Sequence, residues 1–324
     1  MDVVNSPAFR RPARALTGAL LAGLVTSGCA APAPTAVAPA ASTVPPASPA
    51  SSRPAADPTA SATPTKATPR PTASTAPALR VSSVENFRDV AGDGLRLSDG
   101  AVMATGVVYR SAKLATISGA DLGRLRKAGL ALVIDLRTTA VASRAPDPGV
   151  RGARHELVNI YGTATVPPLR DRTVPGARAY MRGLNVGFVT NPGQRARIAR
   201  ALKLIASAKG PVVIHCSEGK DRTGWVSAVL QLAAGAERED VVAEYLKSNE
   251  YRADVIAASY RETAARAGVD AARVGRALLT VDASYLEAGL DELEERYGDI
   301  DGYLTRGLGL SDATIARLRS RLTA

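Results

Sequence analysis

The chain has 324 residues and a formal net charge of +11, with only two cysteines and two histidines. So few cysteines exclude a disulfide scaffold, and the wide spread of the cysteines and histidines leaves no zinc-ligand spacing. A single apolar run near the N-terminus could enter a bilayer, which excludes a polytopic membrane protein. The segment from residue 80 onwards carries +7 of the charge, which suits phosphorylated or other anionic ligands but also a solvated arginine-rich surface.

The N-terminus has the pattern of an export signal. Arg10, Arg11 and Arg14 precede an apolar segment, residues 15–28, which is too short for a comfortable membrane span. Small residues stand immediately before Cys29, as in a bacterial lipobox, so we expect lipidation of Cys29. The protein is then exported and anchored to the outer face of the cell membrane. A simple cleaved signal with an incidental cysteine, giving a secreted protein, is the alternative.

A proline-rich segment follows the signal. Of the 21 prolines, 12 lie between Ala30 and Pro77, a stretch without glycine or aromatic residues. Such a composition cannot bury enough apolar area to offset its ordering entropy, so it predicts a disordered, extended tether. The sequence is therefore divided into a signal with lipobox (1–29), a linker (30–79) and one folded domain (80–324).

Strands and helices alternate through the first half of this domain. Short apolar runs predict strands at 107–109, 130–134, 155–159 and 211–215. Helical periodicity predicts helices at 118–128, 177–188, 195–208 and 223–234, with a loop over 161–176 and mostly helix after 235. This alternation predicts an α/β fold with a mainly parallel central sheet flanked by helices. The long helical C-terminal part predicts an additional lid layer.

The segment with the clearest chemistry begins where the 211–215 strand ends. Cys216 follows that strand, and Arg222 stands six positions later at the start of a helix. Backbone amides of the intervening loop and the helix N-terminus can hold a phosphate dianion without a metal or cofactor. The same field lowers the pKa of the cysteine, and the arginine can grip two phosphate oxygens. The predicted phosphate-binding residues are Ser217, Glu218, Gly219, Lys220, Asp221 and Arg222.

This segment resembles the CX5R loop of cysteine-dependent tyrosine phosphatases, and most closely the atypical bacterial PtpB-like family. The resemblance extends over about residues 81–310. It is carried further by Asn86–Val90, Tyr109–Ser111, Ile134–Arg137, Val281–Leu286 and Tyr297–Leu304. It implies a phosphatase fold and a phosphorylated protein or phosphoinositide as the substrate, with no nucleic-acid partner.

Chemistry and resemblance together suggest roles for the residues around the loop. Cys216 attacks phosphorus and forms a phosphocysteine, and Arg222 stabilises the transition state. His215 positions the cysteine or serves as a structural histidine at the strand end. Thr223 donates a hydrogen bond to the sulfur or simply caps the helix.

The general acid has two candidates. The resemblance implies Asp221, inside the loop, because the chain lacks the Trp-Pro-Asp loop of many tyrosine phosphatases. Asp135, at the end of a predicted parallel strand, is the alternative, unless it pairs with a nearby arginine such as Arg137 or Arg110. We prefer Asp221.

Substrate preference stays open at this stage. Lys220 is expected to add positive charge at the rim, as in phosphatases of phosphoinositides, whereas Glu218 opposes it. Arg88 and Arg110 either bind a second phosphate or are structural. A phosphotyrosine phosphatase is the main hypothesis. A dual-specificity or phosphoinositide phosphatase is the alternative, and a catalytically silent phospho-ligand-binding module is a weaker one.

Overall fold

The computed structural model describes residues 79–323. The predicted signal, Cys29 and all but the last residue of the predicted linker lie outside the described residues. The strands are β1 (Arg88–Asp89), β2 (Val108–Ser111), β3 (Leu132–Asp135), β4 (Arg154–Leu157) and β5 (Val212–His215). The first helices are α1 (Gly119–Lys127), α2 (Thr139–Arg144), α3 (Val174–Thr190), α4 (Pro192–Ser207), α5 (Arg222–Ala234) and α6 (Arg238–Leu246). The remaining helices are α7 (Ser248–Tyr251), α8 (Ala253–Ala267), α9 (Val269–Leu279), α10 (Ala283–Tyr297), α11 (Ile300–Gly302) and α12 (Asp312–Thr323).

The five strands form one sheet in the order β1-β2-β5-β3-β4. β2, β5, β3 and β4 run parallel, and only the two-residue β1 pairs antiparallel with β2. The predicted mainly parallel sheet is confirmed. β5 occupies the centre of the sheet, so whatever follows it lies between the ends of β2 and β3.

The apolar strands are buried on both faces of the sheet. In β3, Leu132 and Ile134 join the larger core cluster together with residues of α4, α5 and α12, whereas Val133 joins the smaller one beside α1. In β5, Val212 and Ile214 likewise face the larger cluster, and Val213 faces the smaller one. Because successive side chains of a strand point to opposite faces, a continuous apolar run is what a sheet covered on both sides requires.

Helix ends follow local capping chemistry. The Ser118 hydroxyl accepts a hydrogen bond from the Asp121 amide at 3.2 Å, as predicted for the start of α1. α3 begins at Val174, inside the stretch that the sequence predicted to be a loop. There the Thr173 hydroxyl accepts from the Gly176 amide at 3.0 Å, and Pro175 in the first turn lacks an amide hydrogen that would need a partner. The prolines of that stretch therefore mark a helix start as well as a loop.

The C-terminal part forms a helical layer, as predicted. α8 and α9 pack against each other as a hairpin, and both α9 and α10 pack on α3. Within residues 79–323, none of the helices is long and apolar enough to cross a bilayer.

Candidate active site

The loop from Cys216 to Arg222, called the phosphate loop below, joins β5 to α5. It lies at the carboxyl end of the central strand, where open parallel sheets commonly bind their ligands. Arg222 is the first residue of α5, so the loop leads directly into a helix N-terminus, whose free amides favour an anion. The position predicted from the sequence is thus also the position in which the fold can bind phosphate.

The carbonyl groups of the phosphate loop are hydrogen-bonded on its outer side. The Lys113 amide donates to the Ser217 carbonyl at 3.3 Å. The Asn86 side-chain amide donates to the carbonyls of Glu218 and Gly219 at 3.0 and 2.9 Å. Because the N–H of a trans peptide points away from its C=O, these bonds turn the amide hydrogens of the same peptides inward. The loop therefore presents amide donors to its concave side.

Gly219 is required by its surroundings as well as by its backbone. Its φ is +68°, and a Cβ atom there would lie 2.4 Å from the carbonyl carbon and oxygen of Ser111. The loop is thus packed directly against the end of β2, in a conformation that only glycine adopts without strain.

Two buried arginines support the phosphate loop from behind. The Nε of Arg88 and the Nη1 of Arg110 donate to the two carboxylate oxygens of Glu244, at 2.5 and 2.7 Å. Arg110 also donates to the Gly219 carbonyl at 3.0 Å, and Arg88 donates to the side-chain oxygen of Asn86. Arg88 and Arg110 are only 6% and 0% exposed. The structure therefore favours the structural alternative for both arginines over contact with a second phosphate.

Asn86 and Glu244 are the supporting residues that sequence reasoning did not single out. Asn86 has a φ of +59°, the only positive value of a non-glycine residue between positions 79 and 323. Asparagine tolerates this left-handed conformation better than most residues, which lets one side chain bind two consecutive loop carbonyls. Asn86 lay in a motif quoted for the resemblance, whereas Glu244 lies in a helix that carries no motif.

The Cys216 thiol is buried, with 1% of the residue exposed. Burial raises its pKa, and the charge of Asp221 acts in the same direction. The guanidinium of Arg222, the Thr223 hydroxyl and the amide of Glu218 lower it, and their combined effect places the pKa below its ordinary value. The site thus favours a thiolate, and an inward-facing amide of the loop helps to stabilise it.

Arg222 is held over the loop by three different contacts. Its Nη2 donates to the Ser217 hydroxyl and its Nη1 to the Leu136 carbonyl, both at 3.3 Å. Its guanidinium carbon lies 5.0 Å from the centre of the Tyr161 ring, a cation–π distance. The guanidinium lowers the pKa of Cys216 from this position, and its role in binding phosphate stays a prediction. Tyr161 is a further residue that sequence reasoning did not single out.

The charged side chains inside the loop are arranged differently from the expectation. Lys220 is 1% exposed, and its ammonium lies 2.9 Å from a carboxylate oxygen of Asp221. The expected lysine charge at the rim is therefore wrong, because the lysine turns inward to pair with its neighbour. The side chains of Asp221 and Glu218 are 16% and 35% exposed, so the carboxylates are the groups that reach the surface.

Asp135 is held by an arginine at the end of β3. The Arg137 guanidinium donates from Nε to Oδ1 at 2.8 Å and from Nη2 to Oδ2 at 2.7 Å, and its backbone amide donates to Oδ1 at 2.9 Å. Burial raises the pKa of Asp135. The bonds from Arg137 and the nearby His215 lower it by more than burial raises it, so the net pKa is below the usual value. This is the pairing that the sequence left open, and it makes Asp135 a poor proton donor.

His215 lies between two carboxylates beneath the phosphate loop. It is fully buried, its Nε2 is 3.3 Å from Asp147 Oδ2, and its Nδ1 is 3.9 Å from Asp135 Oδ1. Burial lowers the pKa of His215 against the opposing effect of both carboxylates. The side chains of Asp135, Asp147 and His215 are close enough together to hold a metal ion. However, the Arg137 guanidinium already donates hydrogen bonds to both carboxylates. The set is therefore better described as a charge network than as a metal site.

Two tyrosines of the surrounding helices respond to the charge of Asp221. Tyr180 of α3 and Tyr285 of α10 both have a raised pKa, mainly through burial, with a further contribution from the charge of Asp221. The Tyr285 hydroxyl donates to the Ala277 carbonyl of α9 at 3.1 Å. Both helices therefore hold a tyrosine whose pKa responds to Asp221, and a lid over the phosphate loop stays a prediction.

Comparison with known proteins agrees with this geometry. A family model described as "Tyrosine phosphatase family" matches residues 79–324, which include every residue that the structure describes. The "Triple specificity protein phosphatase PtpB" of Mycobacterium tuberculosis is 30% identical over 272 residues, covering 73% of this chain and 96% of that protein. A Cupriavidus necator protein named for tyrosine-protein phosphatase activity is 30% identical over 254 residues, covering 76% of this chain and 88% of its own length. A tyrosine-protein phosphatase of Nostoc commune is 27% identical over 66% of this chain and 73% of that protein.

Proposed function

Because the chain belongs to the tyrosine phosphatase family, we propose that it hydrolyses phosphotyrosine-type phosphomonoesters through a phosphocysteine intermediate on Cys216. It is a protein-tyrosine phosphatase of the PtpB-like bacterial type. Beyond this we propose the covalent step, the identity of the general acid, the substrate preference and the cellular location.

One observation supports the covalent step above all others. Cys216 and Arg222 stand at the two ends of a loop whose outer carbonyls are bonded away from it, and the arginine lowers the pKa of the thiol. A loop that only binds phosphate needs no thiolate. A thiol with a lowered pKa, amide donors on the concave side of the loop and a guanidinium able to bind two phosphate oxygens are what in-line attack on phosphorus requires.

The reaction then proceeds in two balanced displacements. The Cys216 thiolate attacks phosphorus, an S–P bond forms, and the P–O bond to the leaving group breaks as Asp221 donates a proton to the leaving oxygen. Asp221 then accepts a proton from a water molecule whose oxygen attacks phosphorus. The S–P bond breaks, which releases inorganic phosphate and restores the thiolate. Arg222 and the loop amides hold the equatorial oxygens in both steps.

Asp221 is the better candidate for the acid. Its charge acts on both Cys216 and Arg222, so it lies at the reacting centre, and its side chain is partly exposed. Asp135 has both carboxylate oxygens bound to Arg137. Asp221 is bound by Lys220 through Oδ1 alone, so its other oxygen is available to carry the proton that a general acid gives to the leaving group.

A direct assay tests the proposed activity. Purified residues 80–324 should hydrolyse an aryl phosphate in the presence of a metal chelator, and Cys216→Ser should be inactive. Rapid acid quenching with labelled substrate should trap phosphate on the protein only when Cys216 is present. Equal activity of the Cys216→Ser variant would exclude the mechanism.

The proposed substrates are phosphoproteins, with phosphotyrosine preferred. The relative from Mycobacterium tuberculosis is named as a triple-specificity enzyme, so serine, threonine and phosphoinositide phosphates belong in the same panel. Lys220 pairs with Asp221 and is buried, which removes the main sequence argument for a multiply phosphorylated head group. We expect phosphotyrosine peptides to give the highest kcat/KM of that panel.

We propose further that the protein is exported and tethered through a lipid on Cys29. The proposal is supported by the arginines, the apolar segment and the small residues before Cys29. Labelled palmitate should be incorporated into the intact protein and lost in Cys29→Ala. Absence of label in the intact protein would reject the lipid anchor.

A further inference from the structure

Glu218 places a negative charge in a loop that must bind a phosphate dianion. Its side chain is 35% exposed, and its only cation within the loop is Lys220, whose ammonium is 3.9 Å away. That ammonium is closer to Asp221, at 2.9 Å. A free carboxylate beside a dianion weakens binding, so the charge of Glu218 needs a partner from outside the loop.

That partner is Arg252, the residue immediately before α8. Its Nη1 lies 3.5 Å from Glu218 Oε2, and its Nε lies 3.6 Å from Glu85 Oε2. The Arg252 side chain is only 2% exposed. A buried guanidinium is costly unless its charge is compensated, and these two ion pairs, although longer than hydrogen bonds, offset part of that cost.

The same guanidinium closes the base of the α8–α9 hairpin. Arg252 Nη1 donates to the Leu279 carbonyl at the end of α9, at 2.6 Å. Beside it, the Asn249 side chain donates to the Val281 carbonyl at 2.9 Å and accepts from the Val281 amide at 2.8 Å. The start and the end of the hairpin are thus joined at the point where Arg252 meets the phosphate loop.

We propose that Arg252 is a positioning residue for phosphate binding: it neutralises Glu218 and links the phosphate loop to the base of the α8–α9 hairpin. The inference rests on the proposed function, because it assigns a role within the same site. Without Arg252, Glu218 keeps only the Lys220 ammonium, which is 3.9 Å away and closer to Asp221, so its charge repels the incoming dianion. The affinity of the loop for phosphate therefore depends on a side chain that does not touch the substrate.

The test measures phosphate affinity without turnover. The full chain carrying Cys216→Ser is titrated with inorganic phosphate by calorimetry, alone and with Arg252→Gln, Glu218→Gln or both. Arg252→Gln should weaken binding about tenfold, the order expected for one uncompensated charge near a dianion in a partly shielded site. Adding Glu218→Gln should restore the affinity to within about twofold of the parent. The loss should shrink in 1 M salt, because screening weakens the repulsion.

Steady-state kinetics of the Cys216-containing proteins give an independent readout. Arg252→Gln should raise KM for an aryl phosphate by about tenfold and leave kcat within about threefold, since the change acts on binding of the dianion. Arg273→Gln is the matched control, because Arg273 is 64% exposed and pairs only with the exposed Asp270 within the described residues. It should change neither constant.

Three outcomes would overturn the proposal. The first is that Arg252→Gln binds phosphate as well as the parent does. The second is that Arg252→Gln binds weakly and Glu218→Gln does not restore the affinity. Either result would limit Arg252 to closing the hairpin. If Arg252→Gln does not fold, Glu218→Gln alone should bind phosphate about threefold more tightly, and unchanged affinity would reject the role. A parent that binds phosphate while the Cys216 protein hydrolyses no aryl phosphate would reject the proposed function, and the affinities would still decide the role of Arg252.

Discussion

At Cys216, burial and charge act in opposite directions on one sulfur. Burial alone would keep the thiol protonated, yet Arg222, Thr223 and the Glu218 amide bring its pKa below the ordinary value. The thiolate therefore depends on a few oriented groups that the loop fixes in place. Asp221 works against them, so its negative charge is tolerated at a cost to the nucleophile, which is consistent with a separate role in proton transfer.

Asp221→Asn should slow hydrolysis according to the leaving group. An amide cannot protonate the leaving oxygen, so kcat for phenyl phosphate should fall about 100-fold, the lower range of general acid catalysis. For p-nitrophenyl phosphate, whose leaving group needs little protonation, the loss should stay below about fivefold. The ratio of the two kcat values is the measurement. Equal losses with both substrates, or none, would place the acid elsewhere.

Glu244→Gln should destabilise the domain. Glu244 is 2% exposed and accepts from both Arg88 and Arg110, so the variant leaves two buried guanidinium groups without a carboxylate. The expected loss in the free energy of unfolding is about 3 kcal/mol, as for other broken buried pairs. Urea unfolding measures it. Glu262→Gln removes an exposed pair with Arg266 and should cost less than about 0.5 kcal/mol; similar losses in the two variants would contradict the role of Glu244.

At the scale of elements, the sequence was most informative where the signal is local. The strand, loop and helix from Val212 to Ala234 have continuous apolar runs and a fixed cysteine-to-arginine spacing, and the structure places them as predicted. β1 and α2 were missed because two and six residues carry too little periodicity.

The residues that support the phosphate loop could not be predicted from the sequence for a different reason. The hydrogen bonds of Asn86 to the loop span 132 and 133 residues, and the Arg88–Glu244 pair spans 156. No pattern within either segment encodes a partner that distant. Lys220 shows the same limit, since its inward turn toward Asp221 is decided by packing.

Gly219→Ala tests whether the loop depends on its contact with β2. The added Cβ would lie 2.4 Å from backbone atoms of Ser111, which cannot rotate away, so the loop must shift. A displacement of about 1 Å at a reacting centre costs about 100-fold in rate, and kcat/KM should fall by that factor. Gly100→Ala is the control, because its φ is also positive, at +85°, but nothing lies within 4 Å of the new atom. Equal activity of the two variants would contradict the packing argument.

At the scale of the whole molecule, buried charges set how stability varies with pH. Burial raises the pKa of Glu244 and Asp135, but their arginine partners lower it more, so both pKa values are below the ordinary value. The stability that these carboxylates contribute is therefore lost as the pH falls. Asp89 differs, because burial raises its pKa to about 6 in spite of hydrogen bonds from the Ala91 and Gly106 amides. Its contribution is greatest when it is protonated, so it opposes the others between pH 4 and 7.

Asp89→Asn should therefore stabilise the domain more at neutral pH than in weak acid. The raised pKa means that the stability of the wild type is fully present below the unfolded value of about 4 and decreases as the pH rises through about 6. Asparagine does not titrate, and its side-chain oxygen can still accept an amide hydrogen. The difference in the free energy of unfolding, variant minus wild type, should grow by about 2 to 3 kcal/mol from pH 4 to pH 7. Urea unfolding at four pH values measures it, and the Glu244 and Asp135 contributions cancel because both proteins share them. A difference that stays constant over this range would show that Asp89 titrates alike in the folded and unfolded chain.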